Sequence, residues 1–139
     1  MPRLTTEFNL TAMTHSDTAK RYNITEQVTP ADDVVENLKA LHQNIIAPLV
    51  AELPGELSAT CAYRCHRVNA RVGGKPSSQH LTGHAADLEY RENGVEKNGE
   101  IIEAVKRLNL PYDQLIDERN LAWVHVSYSP RNRRQFFKL

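Results

Sequence analysis

Cysteine, long apolar runs and any excess of one charge are all scarce in this chain of 139 residues, and each shortage excludes something. Its two cysteines, Cys61 and Cys65, stand four apart with no second pair to complete a Cys-rich metal cluster or a disulfide framework, so both thiols are expected to be reduced and buried. The apolar stretches are short and interrupted, and the opening segment from Met1 to Glu7 has no hydrophobic stretch, so neither a signal peptide nor membrane insertion is expected. Seventeen Lys+Arg offset 17 Asp+Glu, which removes the general electrostatic grip that nucleic acid or anionic lipid requires. The one local excess is cationic: Arg131, Arg133, Arg134 and Lys138 crowd residues 131–139, read here as a solvated basic tail that can hold a domain near an anionic polymer.

What is present is globular in character, with 40% hydrophobic and 24% charged residues, and the length fits a single domain over residues 1–139 that acts as a monomer. Residues 1–25 read as a helical or turn segment anchored by Phe8, Leu10 and Met13. Thr29 is placed to cap a helix with Pro30 at its first position, and Asp32 and Asp33 then favour the positive end of its dipole. Val34, Val35, Leu38, Leu41, His42, Ile45, Ile46 and Leu49 recur at helical spacing along one face, which Pro48 bends or ends. Strands are expected over Leu57–Tyr63, Ala85–Tyr90, Gln114–Ile116 and Trp123–Tyr128, with a short helix between Arg64 and Val72. A second amphipathic helix carries Ile101, Ile102, Val105 and Leu108. Helices first and strands later, with one helix between strands, predict an α+β domain: an antiparallel sheet with flanking helices.

The six histidines are not equivalent. His15 and His42 sit in helical or capping contexts, and His66 and His84 lie near loops without an independent reason to be ligands. Cys65 and His66 are chain neighbours, which rarely point their side chains at one another, so they are not read as a nucleophile pair. Ser78-Gln79-His80-Leu81-Thr82-Gly83-His84-Ala85-Ala86-Asp87 differs from these, because it sets an imidazole and a carboxylate seven apart across a glycine and small residues. A loop histidine and a strand carboxylate can meet at one ion there. His125, in the apolar run around Trp123 and Val124, is the plausible third ligand. Two histidines and a carboxylate leave a tetrahedral zinc one open position, the catalytic arrangement.

Tyr63-Arg64, Val68-Asn69, Val72-Gly73-Gly74, the Ser78–Asp87 run, Asp113-Gln114-Leu115-Ile116 and Trp123-Val124-His125-Val126-Ser127 together resemble the zinc D-alanyl-D-alanine carboxypeptidase family. The likeness is strongest to its short branch, common in bacteriophages and prophages. The S-x-H-x-x-G-x-A-x-D and W-x-H elements are intact and in the family's order, and Asn37-Leu38, Leu41 and Pro48-Leu49 fit its first long helix more weakly. The resemblance implies the Hedgehog/DD-peptidase type of fold, with zinc held by His80, Asp87 and His125. It implies hydrolysis of bacterial peptidoglycan, at stem or crosslinking peptides, by a carboxypeptidase or an endopeptidase of endolysin type. The product is then expected to reach the wall after lysis, through a holin, or as part of a virion.

By the same resemblance Arg64 falls on an arginine that binds the substrate's carboxylate or polarised carbonyl, a task that suits a guanidinium fork. Ser78 and Gln79 then shape the pocket beside the metal. Many relatives carry an acid three residues before the last histidine, where this chain has Ala122. Glu118, which follows the Asp113-Gln114-Leu115-Ile116 strand and matches the acid that the short branch usually carries there, is by the resemblance the expected general base, ahead of Asp113 and then Asp117, all three of which have a plainer reading as turn or surface acids. Trp123 either flanks the pocket or is core, and Tyr128 either donates to substrate or caps the sheet. The missing acid at Ala122 also sustains a rival expectation, a zinc-containing module of the same fold that binds wall peptide without cleaving it.

Overall fold

Short polar caps start the first helices of the chain in the computed structural model, which describes residues 3–139. The Asn9 side chain accepts from the Ala12 N–H to start α1 (Leu10–Met13), and Ser16 does the same for Ala19 in α2 (Asp17–Arg21). A 3-10 turn, Thr25–Val28, follows. Thr29 closes that turn through its N–H to Glu26 O, so it does not cap the long helix as expected. That role falls to Ala31, and α3 (Asp32–Leu41) begins two residues beyond Pro30. Pro48 neither ends the helix nor breaks it. A π-helical turn, His42–Ile46, carries the chain into α4 (Ala47–Glu52), with Ala47 N–H donating to His42 O, one residue further back than in an α-helix. The wider turn makes room for a proline that has no N–H to give.

The expected strands form β1 (Glu56–Cys61), β2 (Ala85–Glu92), β4 (Gln114–Glu118) and β5 (Trp123–Ser127). Between them lie α5 (His66–Arg71), the two-residue β3 (Val95–Glu96) and α6 (Gly99–Arg107), and β6 (Gln135–Lys138) ends the chain. The strand order is β1-β2-β5-β4-β6, with β3 paired to β2. Every pairing is antiparallel except β4 with β6, so the sheet is mixed and not purely antiparallel. The fold is the expected small α+β domain. The residues read as a solvated basic tail thus include the edge strand, which takes up the outer hydrogen-bonding groups of β4 through Gln135 N–H to Asp113 O and Leu139 N–H to Asp117 O.

One face of the sheet is apolar. Leu57, Ala59, Leu88, Tyr90, Leu115, Val124 and Val126 join Leu38, Leu41, Ile45, Ile101 and Val105 in a single buried cluster. A hydrocarbon face of this kind is the main source of stability in a domain of this length, and it fixes which strand residues must turn the other way. Asp87, Ile116, Glu118, Trp123 and His125 point to that second face, where they line a cleft.

Two local devices set the rim of the cleft. Gln27, fully buried, donates through Nε2 to Thr14 O and Tyr63 O and accepts at Oε1 from Cys65 N–H, holding the backbone on both sides of Arg64. Gly83 ends the turn Gln79–Thr82 at φ 79°, and a Cβ there would lie 2.8 Å from Val34 O and 3.1 Å from Leu38 Cγ. Gly83→Ala is therefore expected to lower stability by about 1–3 kcal/mol, combining a left-handed backbone with a close approach to α3. A urea unfolding midpoint equal to that of wild type would contradict this account of the turn.

Candidate metal centre and cleft

Cross-strand register builds the centre. Cys61, Asp87, His125, Ile116 and Phe137 are successive partners across β1, β2, β5, β4 and β6, one row spanning the sheet. Asp87 and His125 take their places by ordinary alternation, since Leu88 and Val124 beside them face the core. Cys61 does not. The register shifts between Ala59 and Cys61, so that Thr60 is an extra residue and Cys61 turns from the core face onto the side of Asp87. Cys65 is buried as expected, whereas Cys61 is half-buried at the site.

A single atom, Asp87 Oδ1, lies 3.1 Å from His125 Nδ1 and 3.3 Å from His80 Nε2. The two rings meet edge to face with centroids 5.2 Å apart. His80 arrives from the turn Gln79–Thr82, and its Nδ1 is 2.6 Å from Ala62 O. A proton on Nδ1 is thereby committed to the backbone, which aims Nε2 at Asp87. Burial works against charge on both partners of this pair, and the pair overcomes it. The Asp87 charge and hydrogen bond, with help from Cys61, raise His80 to about 10. The charge of His80 and hydrogen bonds from His125 and His80 hold Asp87 well below the usual carboxylate range.

The two separations from Asp87 Oδ1 fit a zinc ion. Two ligand atoms on one tetrahedral zinc, each about 2.0–2.2 Å from it, stand roughly 3.3 Å apart, close to the two separations here. A thiol lies close by as well: ligand atoms of Cys61, His80 and Asp87 all lie within 4.8 Å of one another, a group that does not include His125, and the Cys61 sulfur meets His80 at Nδ1, the nitrogen that bonds Ala62 O. Neither the spacing nor the alternation of β1 pointed to Cys61. The signal was a missed β-bulge, which a sequence of small residues does not announce.

Arg64 Nη2 donates to Ser78 Oγ at 3.0 Å, and Ser78 Oγ also accepts from His80 N–H at 3.2 Å. Arg64 Nε is buried without a partner, a donor left for something in the cleft. Gln79 also lines the cleft. Its Nε2 donates to Asp113 Oδ2 at 2.9 Å, and its Oε1 is buried without a partner.

The three acids considered for the base separate cleanly. Asp113 is fully buried, and Arg133 claims Oδ1 through its N–H and Nε at 2.9 and 2.8 Å and Oδ2 through Nη2 at 3.0 Å. Asp117 lies on the core side of β4 and accepts from Leu121 N–H at 2.7 Å. Glu118 alone of the three lines the cleft, at the end of β4 beside its cross-strand partner Trp123. It precedes three left-handed residues, Arg119, Asn120 and Leu121, and buried Asn98 holds their exit by donating to Leu121 O and Ala122 O. Ala122 is exposed in that turn.

The cleft, ≈ 660 Å³, runs from Arg64, Lys75 and Ser78 past His80, Asp87 and His125 to Glu118, Trp123 and Phe137. Trp123 thus belongs to the cleft, while Tyr128 packs against the core cluster. His15 pairs with Asp17, buried His42 meets Thr5 O, and His84 meets the Thr82 hydroxyl; His66 is exposed at the start of α5. None of these four joins the cluster of donors in the row.

A small α+β domain with two histidines and an aspartate gathered on the floor of an open cleft is the class that the fold and the cleft define. A profile of the peptidase M15 family matches residues 5–127, and the chain belongs to that family. No curated protein sequence matches it. Among solved structures it is similar to the crystal structure of the Serratia marcescens L-Ala D-Glu endopeptidase ChiX. That match has 23% identity and a TM-score of 0.48, and it covers 73% of this chain and 90% of the other.

Asp113 supplies a pH test. Hydrogen bonds from Arg133 hold its carboxyl well below the usual range despite burial, so the stability it contributes is complete above the unfolded value near 3.9 and is lost as pH falls toward the folded one. Wild type is expected to lose stability on acidification below about pH 5, and Asp113→Asn to be less stable at neutral pH with a shallower acid slope. Urea midpoints between pH 3 and 7 measure both, and parallel slopes for the two proteins would contradict the assignment.

Proposed function

We propose that this chain is a zinc-dependent peptidase that hydrolyses peptide bonds of bacterial peptidoglycan, with His80, Asp87 and His125 as the metal ligands. The observation that carries the reading is the Asp87 Oδ1 atom, set 3.1 and 3.3 Å from the two imidazole nitrogens on the floor of a cleft flanked by Arg64 and Glu118. Zinc held there would acidify water to a pKa near about 7 and polarise a scissile carbonyl.

The protein's own groups divide the remaining work. Arg64, fixed by Ser78 and with Nε to spare, binds a carboxylate or carbonyl oxygen of the peptide and orients it over the donor cluster. Glu118 takes the proton of the attacking water and delivers it to the leaving amine. Gln79 and Ser78 act at one remove: the first ties the turn that bears His80 to buried Asp113, the second joins that turn to Arg64. The Trp123 and Phe137 side of the cleft receives the substrate beyond the bond that is cut.

Purified protein is expected to contain one zinc and to release amino groups from peptidoglycan, and a chelator should abolish that release until zinc is restored. His80→Ala, Asp87→Ala and His125→Ala should each lose zinc and activity together. Glu118→Ala should keep zinc while kcat falls on the order of 10²–10⁴-fold, the range for loss of a general base. Wild type that retains zinc and releases nothing would support the non-catalytic wall-binding module instead. Masses of the released fragments separate a carboxypeptidase, which frees one terminal residue, from an endopeptidase of the kind used in phage lysis.

A further inference from the structure

We propose that Lys75 and Arg131 determine specificity: beyond Arg64 they form a subsite for a further carboxylate of the peptide, so that the cleft selects an acidic strand that runs on past the donor cluster. This rests on the peptidase reading above. Its own support is the polarity of the cleft and the course it takes.

The pairing of β4 with β5 sets the axis. Glu118 and Trp123 are partners at one end, and Ile116 and His125 follow two residues further on. Gln114, which also lines the cleft, is four residues from Glu118, about 13 Å along the strand. Cations gather beyond it, around Ser78 and Gln79. Arg64 donates to Ser78 Oγ, Lys75 O accepts from Ser78 N–H, and Arg133 holds the Asp113 carboxylate to which Gln79 donates. The acids that line the cleft, Asp87 and Glu118, lie on its floor and at its other end.

Arg133 is taken up by Asp113, but among the described residues no carboxylate pairs with Arg64, Lys75 or Arg131. The basic residues expected in a solvated tail therefore divide. Arg133 clamps Asp113, Arg134 donates to Asn109 Oδ1 and Lys138 lies in β6, whereas Arg131 lines the cleft without an acid. Both cations of the subsite stand on backbone that is held. Asn69 Nδ2 donates to Lys75 O at 3.1 Å, and Arg131 N–H donates to Ser129 Oγ at 3.2 Å.

Nor does the cleft stop at this end. A second basin of ≈ 530 Å³ shares Ser77, Ser78, Gln79 and Arg131 with it and continues over Thr82 and His84. Peptide can pass Arg64 and continue, which is the geometry of cleavage inside a chain. Lys75 and Arg131 are exposed, so their attraction for a carboxylate is screened by salt.

Soluble peptidoglycan fragments serve as probes, in their acidic form and with their carboxylates converted to carboxamides. Wild type is expected to favour the acidic form in kcat/KM, and to do so less as salt rises. Lys75→Ala combined with Arg131→Ala should lower that preference on the order of 3–25-fold, up to about fivefold for each exposed pair, through the KM of the acidic form. Lys75→Arg with Arg131→Lys should retain it, as should Lys20→Ala, an equal loss of charge outside the cleft. No preference in wild type, or the same preference in the double alanine variant, overturns the proposal and leaves the peptidase reading intact. A fall in kcat that is equal for both probes overturns it as well. If wild type cleaves neither probe the peptidase reading falls, and calorimetric affinities for the same pair decide the subsite: a preference that the double variant keeps, or that wild type lacks, overturns it too.

Discussion

The register of β2 against β5 is the constraint on which everything at the cleft depends. It places Asp87 directly opposite His125, and the same register puts Leu88 opposite Val124 on the face that is buried. A slip of one residue would turn the apolar pair into water and the polar pair into hydrocarbon at once. Folding and site assembly are therefore the same event at this ladder: the free energy that buries one side of each strand holds the carboxylate against the imidazole on the other. His80 is added from a turn, and its position depends on Gly83 letting that turn lie against α3.

Much of this was legible in the residues. His80, Gly83 and Asp87 are close in sequence, so their spacing carries information, and His125 sits in a strand whose alternation is plain. The family resemblance, matched by the profile over residues 5–127, added Arg64 and Glu118. Other features were written in partners too distant to read. Asp113 ceased to be a candidate base because Arg133, 20 residues later, closes on it, and nothing local to either predicts the pair. β6 was missed because the side chains of Gln135–Lys138 are exposed on both faces, so burial imposes no period of two. Cys61 was misplaced because its strand alternates correctly until one bulge inverts the last residue.

Buried amides do much of the positioning from outside the cleft. Gln27 clamps the backbone around Arg64, and Asn98 joins Tyr90 N–H in β2 to the carbonyls that follow the left-handed turn after Glu118. Each is fully buried with every polar atom engaged, a state that tolerates little displacement because an orphaned amide in hydrocarbon is costly. The two groups that flank the donors are thus held by networks anchored in the helical layer and in β2.

The parallel strand β6 gives residues 135–139 leverage over the cleft. Phe137 and Leu139 wall one end of the cleft, Arg133 locks Asp113, and Leu139 O receives Arg119 N–H in the turn next to Glu118. A proteolytic cut in the largely exposed stretch 130–134 would sever no residue of the His80, Asp87 and His125 cluster. It would nevertheless loosen the far wall, the arginine clamp on buried Asp113 and the seat of the acid together, so that residues 135–139 act as a latch on a site whose candidate ligands all lie upstream.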